Sequence, residues 1–260
     1  MKTIILCGGE GTRLKEETEY RPKPMVEIGG RPILWHIMKV YAHFGFKEFV
    51  LALGYKGKVI RDFFLNYEFY NKDFTITLGN HKDIVVHGDT DESNWEVTLV
   101  ETGTSAMTGS RIKQCEKYIH GDNFMVTYGD GLADMDVSKL VEFHMGHGKI
   151  GTLTGIKLPS RFGELVVESK QVLKFTEKSW PEGEQGNING GFMVFKRNFF
   201  NYLPNNSGCV LEREPLEKLA QDKELMVYHH GGYWQCMDTY RDYLLLQEAW
   251  KSEKVPWQFE

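Results

Sequence analysis

The stretch Thr3-Ile4-Ile5-Leu6-Cys7-Gly8-Gly9-Glu10-Gly11-Thr12-Arg13 opens the chain with a short apolar run that ends in a glycine-rich loop. An apolar run of this length closed by glycines is typical of a buried strand. Glycines after a strand let the backbone approach a ligand closely, and consecutive N–H groups there form a concavity for an anion. The loop matches neither a P-loop nor a dinucleotide-binding fingerprint. We therefore predict a strand followed by an anion-binding loop of another type.

Alternating strand and helix patterns continue through the first half of the chain. Residues 32–44 carry apolar side chains at helical spacing, with Pro32 in the first turn and Gly45 as the stop. Residues 58–69 show a similar one-sided apolar pattern. The other predicted elements are strands at 49–53, 74–78, 84–87, 97–100 and 124–128, and helices at 110–118 and 137–147. Such alternation predicts an α/β fold with a mostly parallel sheet, helices on both faces, and ligands at the carboxyl ends of the strands.

The second half is richer in strand patterns. Strands are predicted at 152–156, 165–167, 172–177 and 192–195, and helices at 215–221 and 240–250. We expect a smaller sheet layered over the strand ends, as a lid over a second ligand. No repeat, low-complexity tract or linker marks a boundary, so residues 1–260 are predicted to form one domain with halves at about 1–150 and 151–260.

Composition excludes some classes of protein. Apolar residues at 41% and charged residues at 26% are ordinary for a soluble globular chain. A net charge of −5 argues against nucleic acid as a partner, which would favour a basic surface. The N-terminal apolar run is too short to span a membrane. The four cysteines form no C-x-x-C pair and fit a reducing compartment, so we expect a cytoplasmic protein.

Two cations accompany the glycine loop. Arg13 lies within it, and Lys23 follows in Arg21-Pro22-Lys23-Pro24. Proline on both sides of Lys23 restricts the backbone and aims the side chain. The alternative is a tight turn with a solvated lysine. We favour a site for a polyanion.

Two carboxylates are candidates for a metal site. Asp130, in Tyr128-Gly129-Asp130-Gly131, follows a strand of the predicted sheet and should face the ligand crevice. Asp238 is its best partner, and carboxylates of this kind can hold magnesium beside phosphate. The alternatives are a turn residue for Asp130 and a helix N-cap for Asp238.

Two further loops carry candidate ligand contacts. Residues 101–111 place hydroxyls and free N–H groups at a helix start, and Arg111 could pair with a phosphate. Glu177-Lys178 at a strand end, with Asn189-Gly190-Gly191 before another strand, could grip a sugar phosphate and its hydroxyls. A capped helix with an exposed arginine, and a surface ion pair, are the respective alternatives.

His144 and His147 occupy positions i and i+3 of one predicted helix, close to Glu142. No third metal ligand lies nearby in sequence. We interpret the pair as part of a solvated helix face.

Three stretches resemble the sugar-phosphate nucleotidylyltransferases: residues 6–14, Pro22-Lys23-Pro24-Met25-Val26 and Tyr128-Gly129-Asp130-Gly131. Within that family the chain is most similar to the cytidylyltransferases that act on glucose 1-phosphate. The closer similarity covers essentially the whole chain, in the family's order, through residues 22–30, 32–38, 54–57, 107–111, 189–192, 234–239 and 256–257.

The resemblance implies a Rossmann-like, mostly parallel mixed sheet of the nucleotide-diphospho-sugar transferase fold, with a β-rich sugar-binding lid. It implies CTP and a sugar 1-phosphate as substrates, Mg²⁺ as cofactor, and a homo-oligomer with a hexamer as the expected size. The catalytic residues would be Arg13, Lys23 and Lys178, and the metal ligands Asp130 and Asp238. The nucleotide contacts would be Leu6, Gly8, Gly9, Gly11, Thr12, Arg13, Lys23, Thr104, Ser105, Ala106, Arg111 and Gly129. The sugar-phosphate contacts would be Tyr128, Gly163, Glu177, Lys178, Asn189 and Gly190.

Two positions depart from the family pattern. Ser179 stands where the family usually has proline, directly after the expected sugar-phosphate lysine, and Cys7 stands where it often has alanine. The alternatives left open are another nucleotide, another sugar or non-sugar phosphate, and a module that binds nucleotide without turnover.

Overall fold

The computed structural model describes residues 1–79, 83–89, 91–157, 164–168, 171–176 and 187–259. The strands are β1 (Thr3–Cys7), β2 (Glu27–Ile28), β3 (Arg31–Pro32), β4 (Glu48–Leu53), β5 (Phe74–Ile76), β6 (Ile84–Val86), β7 (Glu96–Glu101), β8 (Asn123–Tyr128), β9 (Gly131–Ala133), β10 (Gly151–Ile156), β11 (Glu164–Glu168), β12 (Gln171–Thr176), β13 (Ile188–Lys196), β14 (Leu225–His230) and β15 (Trp234–Cys236). The α-helices are α1 (Lys15–Thr18), α2 (Ile33–His43), α3 (Gly57–Leu65), α4 (Tyr67–Asn71), α5 (Thr108–Cys115), α6 (Val137–His147), α7 (Glu214–Gln221) and α8 (Tyr240–Trp250). Short 3-10 helices cover Lys23–Met25, Glu116–Tyr118 and Arg197–Tyr202.

The main sheet is seven-stranded, in the order β14-β10-β13-β8-β1-β4-β7. Only β13 runs antiparallel to its neighbours, β8 and β10, within this sheet. All five residues of β1 are buried, because the sheet is covered on both faces. Alternate side chains enter different cores: Ile5 packs in the core that includes α2, while Ile4 packs in the core that includes α5. The predicted α/β architecture with helices on both faces is confirmed.

The second half differs from the expected lid. The strands expected at 152–156 and 192–195 are β10 and β13, and both lie in the main sheet. The physical reason is visible in β13, where Phe192 and Val194 enter one core and Met193 and Phe195 enter the other. A strand buried on both faces belongs in a sheet interior. Of the four strands expected in this half, β11 and β12 lie outside the main sheet and pair with each other in antiparallel orientation.

Helix boundaries follow the sequence patterns with two exceptions. The helices expected at 137–147 and 240–250 coincide with α6 and α8. The helix expected at 58–69 is divided at Asn66 into α3 and α4. The helix expected at 110–118 begins earlier, at Thr108, and its last turn is a 3-10 helix. Among the helices that the structure describes, none has the length and apolarity needed to cross a membrane.

Strand register brings four loops to one edge of the sheet. Cys7 pairs with Leu53, Leu53 with Glu101, and Leu6 with Tyr128, all between parallel strands. The residues that follow these four strand ends therefore surround a single crevice, as expected for a parallel sheet.

Candidate active site

The glycine-rich loop after β1 is held in shape by its own hydrogen bonds. The Leu14 N–H donates to the Gly11 carbonyl at 2.9 Å, and the Thr18 hydroxyl lies 3.0 Å from the same carbonyl. Gly11 has φ +63°, in the left-handed region that favours glycine. A Cβ there would also lie 2.8 Å from the Thr18 methyl group. These contacts hold the loop in shape at Gly11.

Arg111 supports this loop from beneath. Its guanidinium donates to the carbonyl oxygens of Gly8, at 2.9 Å, and Leu53, at 3.0 Å. It also donates to the Thr102 hydroxyl at 2.6 Å and to the Gly103 carbonyl at 2.8 Å. Burial lowers the pKa of this guanidinium, and Glu101 opposes the shift.

These contacts give Arg111 a positioning role. The side chain is 4% exposed, and its guanidinium donates to oxygens of the loops after β1, β4 and β7. It also lines the crevice, so its expected contact with the nucleotide stays a prediction. A Cβ on Gly8 would lie 2.1 Å from the guanidinium, which explains why glycine occupies that position.

Lys23 bridges the two candidate metal ligands. Its ammonium Nζ lies 2.7 Å from Asp130 Oδ2 and 2.7 Å from Asp238 Oδ1. The side chain is only 11% exposed. Burial lowers the pKa of Lys23, but the charges and hydrogen bonds of the two aspartates outweigh burial and raise the pKa above its usual value. The lysine is therefore a fully charged cation in the crevice.

Strand pairing brings the two aspartates together. In the small sheet of β9 and β15, Gly131 pairs with Cys236. The Met237 N–H then donates to the Asp130 carbonyl at 2.8 Å. This pairing sets the residues on either side, Asp130 and Asp238, around the same ammonium. The two sequence-predicted carboxylates are thus adjacent although they are far apart in the chain.

Arg13 completes a group of four charged side chains. Its guanidinium Nη1 lies 3.1 Å from Asp238 Oδ2, and the side chain is 72% exposed at the mouth of the crevice. Arg13 can therefore reach an incoming ligand, while Lys23 lies deeper.

The turn that carries Asp238 excludes the alternative interpretation of this residue as a helix N-cap. Thr239, and not Asp238, is the N-cap of α8, in a capping box with Asp242. Asp242 is 3% exposed and accepts hydrogen bonds from the backbone N–H of Asp238 at 3.2 Å and of Thr239 at 2.9 Å. The Asp238 side chain is left directed toward Lys23 and Arg13.

The donor set fits magnesium. Two carboxylates face one cation, and oxygen ligands supplemented by phosphate and water are what Mg²⁺ prefers. No cluster of three or more histidine, cysteine or acidic side chains suited to a metal occurs within the described part of the chain. Oxygens of the substrate and of water could complete the coordination of a metal ion held by Asp130 and Asp238.

Two adjoining cavities meet at these charges. The first, of about 360 Å³, is lined by the glycine loop and contains ten of the expected nucleotide contacts: Leu6, Gly8, Gly9, Gly11, Thr12, Arg13, Lys23, Ala106, Arg111 and Gly129. Thr104 and Ser105 are not in its lining. The second, of about 280 Å³, is lined by Asn189 and Gly190 among others, and shares Arg13, Tyr128, Asp130 and Asp238 with the first.

The sequence profile of the nucleotidyl transferase family matches residues 2–252. This chain belongs to the nucleotidyl transferase family. A glucose-1-phosphate cytidylyltransferase of Salmonella typhi is 47% identical over 259 residues, 99% of either chain. A Bacillus subtilis (strain 168) protein named "Probable glucose-1-phosphate cytidylyltransferase" is 42% identical over 258 residues, again 99% of either chain. Among solved structures, HddC from Yersinia pseudotuberculosis has a TM-score of 0.68 at 25% identity, covering 96% of this chain and 99% of that one.

The second cavity of this nucleotidyl transferase contains a tyrosine held by a carboxylate. The Tyr128 hydroxyl donates to Glu212, and the Asn189 amide lies 3.5 Å from the same hydroxyl. Burial, followed by the charge of Glu212, raises the pKa of Tyr128, so it remains a neutral donor. The Trp234 indole N–H donates to the Gly190 carbonyl at 2.8 Å. Glu212 was missed from the sequence, since nothing around it signals a contact with β8.

Three expected sugar-phosphate residues, Gly163, Glu177 and Lys178, lie outside the described residues, as does Ser179. The catalytic role of Lys178 and the effect of Ser179 therefore stay predictions for this nucleotidyl transferase.

The interpretation of His144 and His147 as a solvated face was wrong for His144. That side chain is fully buried, and its Nδ1 lies 2.8 Å from the Thr152 hydroxyl. His147 Nε2 lies 2.7 Å from the same hydroxyl, and the Asn123 amide oxygen is 3.2 Å from His144 Nε2. The helix packs His144 on β10, and the half-buried His147 meets the same Thr152 hydroxyl at the border of the interior.

Proposed function

We propose that this nucleotidyl transferase is a glucose-1-phosphate cytidylyltransferase. It would join CTP and α-D-glucose 1-phosphate to give CDP-glucose and diphosphate. The observation that carries the proposal is the junction of two cavities at Arg13 and the aspartate pair, which Lys23 bridges from the first cavity. The choice of base and sugar is supported by the names of the full-length relatives at 47% and 42% identity.

The reaction would be a phosphoryl transfer without a nucleophilic side chain. An oxygen of the sugar phosphate attacks the α-phosphorus of CTP, and the bond from that phosphorus to the β-phosphate bridging oxygen breaks in line, releasing diphosphate. The attacking oxygen is already ionised near neutral pH, so no general base is needed. Cys7, at the end of β1, is not a competing nucleophile, because burial raises the pKa of its thiol well above the usual range.

The barrier is electrostatic, because two polyanions must meet. Catalysis should therefore consist of positioning and charge neutralisation. Lys23, charged and 11% exposed, would face the phosphates from within the crevice. Arg13, at the mouth, would contact the triphosphate as it enters and remain close to the transferred phosphate. Lys178 is proposed to hold the phosphate of the sugar.

Magnesium is proposed to be held by Asp130 and Asp238, where it would neutralise phosphate charge when bound. Lys23 now forms its salt bridges with those same two carboxylates. With a metal ion held by the two aspartates, the Lys23 ammonium would be available to contact phosphate oxygens. The charges of Arg13, Lys23, Asp130 and Asp238 sum to zero, so the metal ion would supply the positive charge that offsets part of the negative charge of the phosphates.

A substrate screen tests the proposal. Each of CTP, UTP, dTTP, ATP and GTP is combined with glucose 1-phosphate, mannose 1-phosphate and a non-sugar phosphate, and diphosphate release is measured. The expected result is release with CTP and glucose 1-phosphate well above every other pair. Release only with another pair would keep the reaction class and change the substrates. Nucleotide binding without release from any pair would instead support a non-catalytic module.

We also infer that the protein is a homo-oligomer, with a hexamer as the expected size. The β5–β6 pair exposes large apolar side chains, with Phe74 at 44%, Ile76 at 45% and Val85 at 57% exposure. Adjacent apolar surface of this kind often marks a protein interface. Light scattering coupled to gel filtration measures the mass, and a monomer at micromolar concentration would contradict the inference.

A further inference from the structure

A further cavity, separate from the two that meet in the crevice, lies at the opposite edge of the sheet. It has a volume of about 340 Å³, similar to that of the candidate nucleotide cavity. Its lining includes Lys47 and Trp95, which directly precede β4 and β7, and the carboxyl half of α2. Because the crevice surrounds the carboxyl ends of those strands, the two cavities are separated by the length of the sheet. We call this space the aromatic cavity.

Aromatic rings form most of its walls, and each is fixed from behind. Trp35 donates its indole N–H to the Tyr67 hydroxyl at 2.9 Å, and Trp257 donates its own to His36 Nδ1 at 3.3 Å. The Trp95 ring packs at 5.4 Å from Phe49 in the core. Rings held in this way can receive a flat ligand at little conformational cost, because few rotamers are lost on binding.

The C-terminal segment closes the remaining side. Phe259 stacks on His43 with ring centroids 4.8 Å apart, and Trp257 is 2% exposed. The lining thus combines rings from α2, from the residue before β7 and from the C-terminal segment, which are distant in sequence. No residue in it belongs to the proposed catalytic machinery.

One cation in the aromatic cavity is uncompensated. Lys39 lies 3.3 Å from Glu92 and 3.6 Å from Asp91, so its charge is already paired. Lys47 is half-buried in the lining, and its ammonium has no ion pair or hydrogen bond with any residue the structure describes. A partly buried, unpaired ammonium beside aromatic faces favours a ligand that combines an anion with a planar ring.

We propose that the aromatic cavity binds a nucleoside monophosphate or the corresponding part of a nucleotide sugar, with the base against the aromatic lining and the phosphate on Lys47. The volume lies at the lower end of the range of small-molecule sites, which fits one nucleotide. Since the cavity is at the far edge of the sheet, its occupant would act as an effector and not as a substrate.

Fluorine NMR of protein labelled with 5-fluorotryptophan tests the proposal with CMP as the probe. Trp35 and Trp95 report on the aromatic cavity, and Trp234, whose indole contacts Gly190, reports on the crevice. Single Trp→Phe variants assign the signals. On titration to about 10 mM CMP, the expected result is saturable shifts of Trp35 and Trp95 on a curve distinct from that of Trp234.

Lys47→Glu and Lys47→Gln should each weaken the Trp95 curve by about tenfold or more, since a charge-assisted contact is lost, and leave the Trp234 curve unchanged. Lys139→Glu, an equal charge change at a side chain 69% exposed on α6, is the matched control.

The proposal is overturned if Trp35 and Trp95 do not shift while Trp234 does, or if Lys47→Glu behaves as Lys139→Glu does. It is also overturned if the cavity signals move with protein concentration alone, which would show a second copy covering it. If the Trp35 and Trp95 signals shift and the Trp234 signal does not, the result contradicts the crevice as the nucleotide site and supports the proposal for the aromatic cavity.

Discussion

Asp242 holds the backbone of Asp238 in place: its buried carboxylate accepts the Asp238 N–H at 3.2 Å. The same oxygen accepts the Thr239 hydroxyl at 2.8 Å. A carboxylate that fixes the turn also fixes the direction of the Asp238 side chain, and so the geometry of the proposed metal site. Residues that orient metal ligands commonly influence metal affinity by one or two orders of magnitude.

Asp242→Asn should therefore raise the magnesium concentration needed for half-maximal turnover by about tenfold, with little change in the KM for the sugar phosphate. Steady-state kinetics across a magnesium series, together with direct Mn²⁺ binding, measures the effect. Thr239→Ala is the matched control. It removes the helix cap, which should lower the free energy of unfolding by about 1 kcal/mol, and it leaves the contact between Asp242 and Asp238. Equal changes in both variants would show that helix destabilisation, and not positioning, is the cause.

Lys23→Ala should lower turnover on the order of a hundredfold, as loss of one preorganised charge does in other active sites. The variant also leaves Asp130 and Asp238 facing each other without their shared ammonium. We therefore expect added Mg²⁺ to raise the melting temperature more in Lys23→Ala than in the unmodified protein. Kinetics and thermal melts measure the two effects, with Lys139→Ala as an exposed control. Turnover and CTP affinity close to those of the unmodified protein would refute the role of Lys23.

Gly8→Ala and Gly9→Ala should differ sharply in stability although they are neighbours. A Cβ on Gly8 would lie 2.1 Å from the Arg111 guanidinium, whereas a Cβ on Gly9 would meet nothing within 4 Å. Overpacking against a buried, hydrogen-bonded arginine should lower the free energy of unfolding by about 2 kcal/mol, with a change below about 0.5 kcal/mol for the exposed Gly9 position. Urea unfolding of both variants decides, and equal midpoints would contradict the positioning role of Arg111.

The parts of the site that the sequence predicted are those fixed by strand order. Parallel strands end at one edge, so the loop at Gly8 and the turn at Asp130 had to be neighbours. Asp238 was identified by its motif, and its position depends on the pairing of β9 with β15, two short strands that no periodicity revealed. The sequence pattern therefore identified the charged residues of the site. The distances between them depend on the pairing of two short strands.

Side-chain partners were harder to predict than positions. An arginine at a helix start has the same sequence signature whether it contacts a phosphate or, as Arg111 does, the carbonyls of Gly8 and Leu53. Glu212 reaches Tyr128 only because the segment before α7 packs beside β8. Such contacts depend on tertiary packing, which local spacing does not encode.

The buried histidine cluster predicts a pH-dependent stability. Burial lowers the pKa of His144 to about 4, below the unfolded value of about 6.5. At His144, the folded state then binds fewer protons than the unfolded state between these two pH values. The contribution of His144 to stability is therefore complete above about pH 6.5 and is lost as the pH falls toward 4. The loss in free energy of unfolding should be on the order of 2 to 3 kcal/mol.

Urea unfolding at pH 7 and pH 4.5 should show a smaller pH-dependent loss for His144→Gln than for the unmodified protein. Because His36 is present in both proteins and has a pKa lowered by burial too, its contribution cancels in this comparison. An identical loss in the two proteins would show that His144 is not the group responsible.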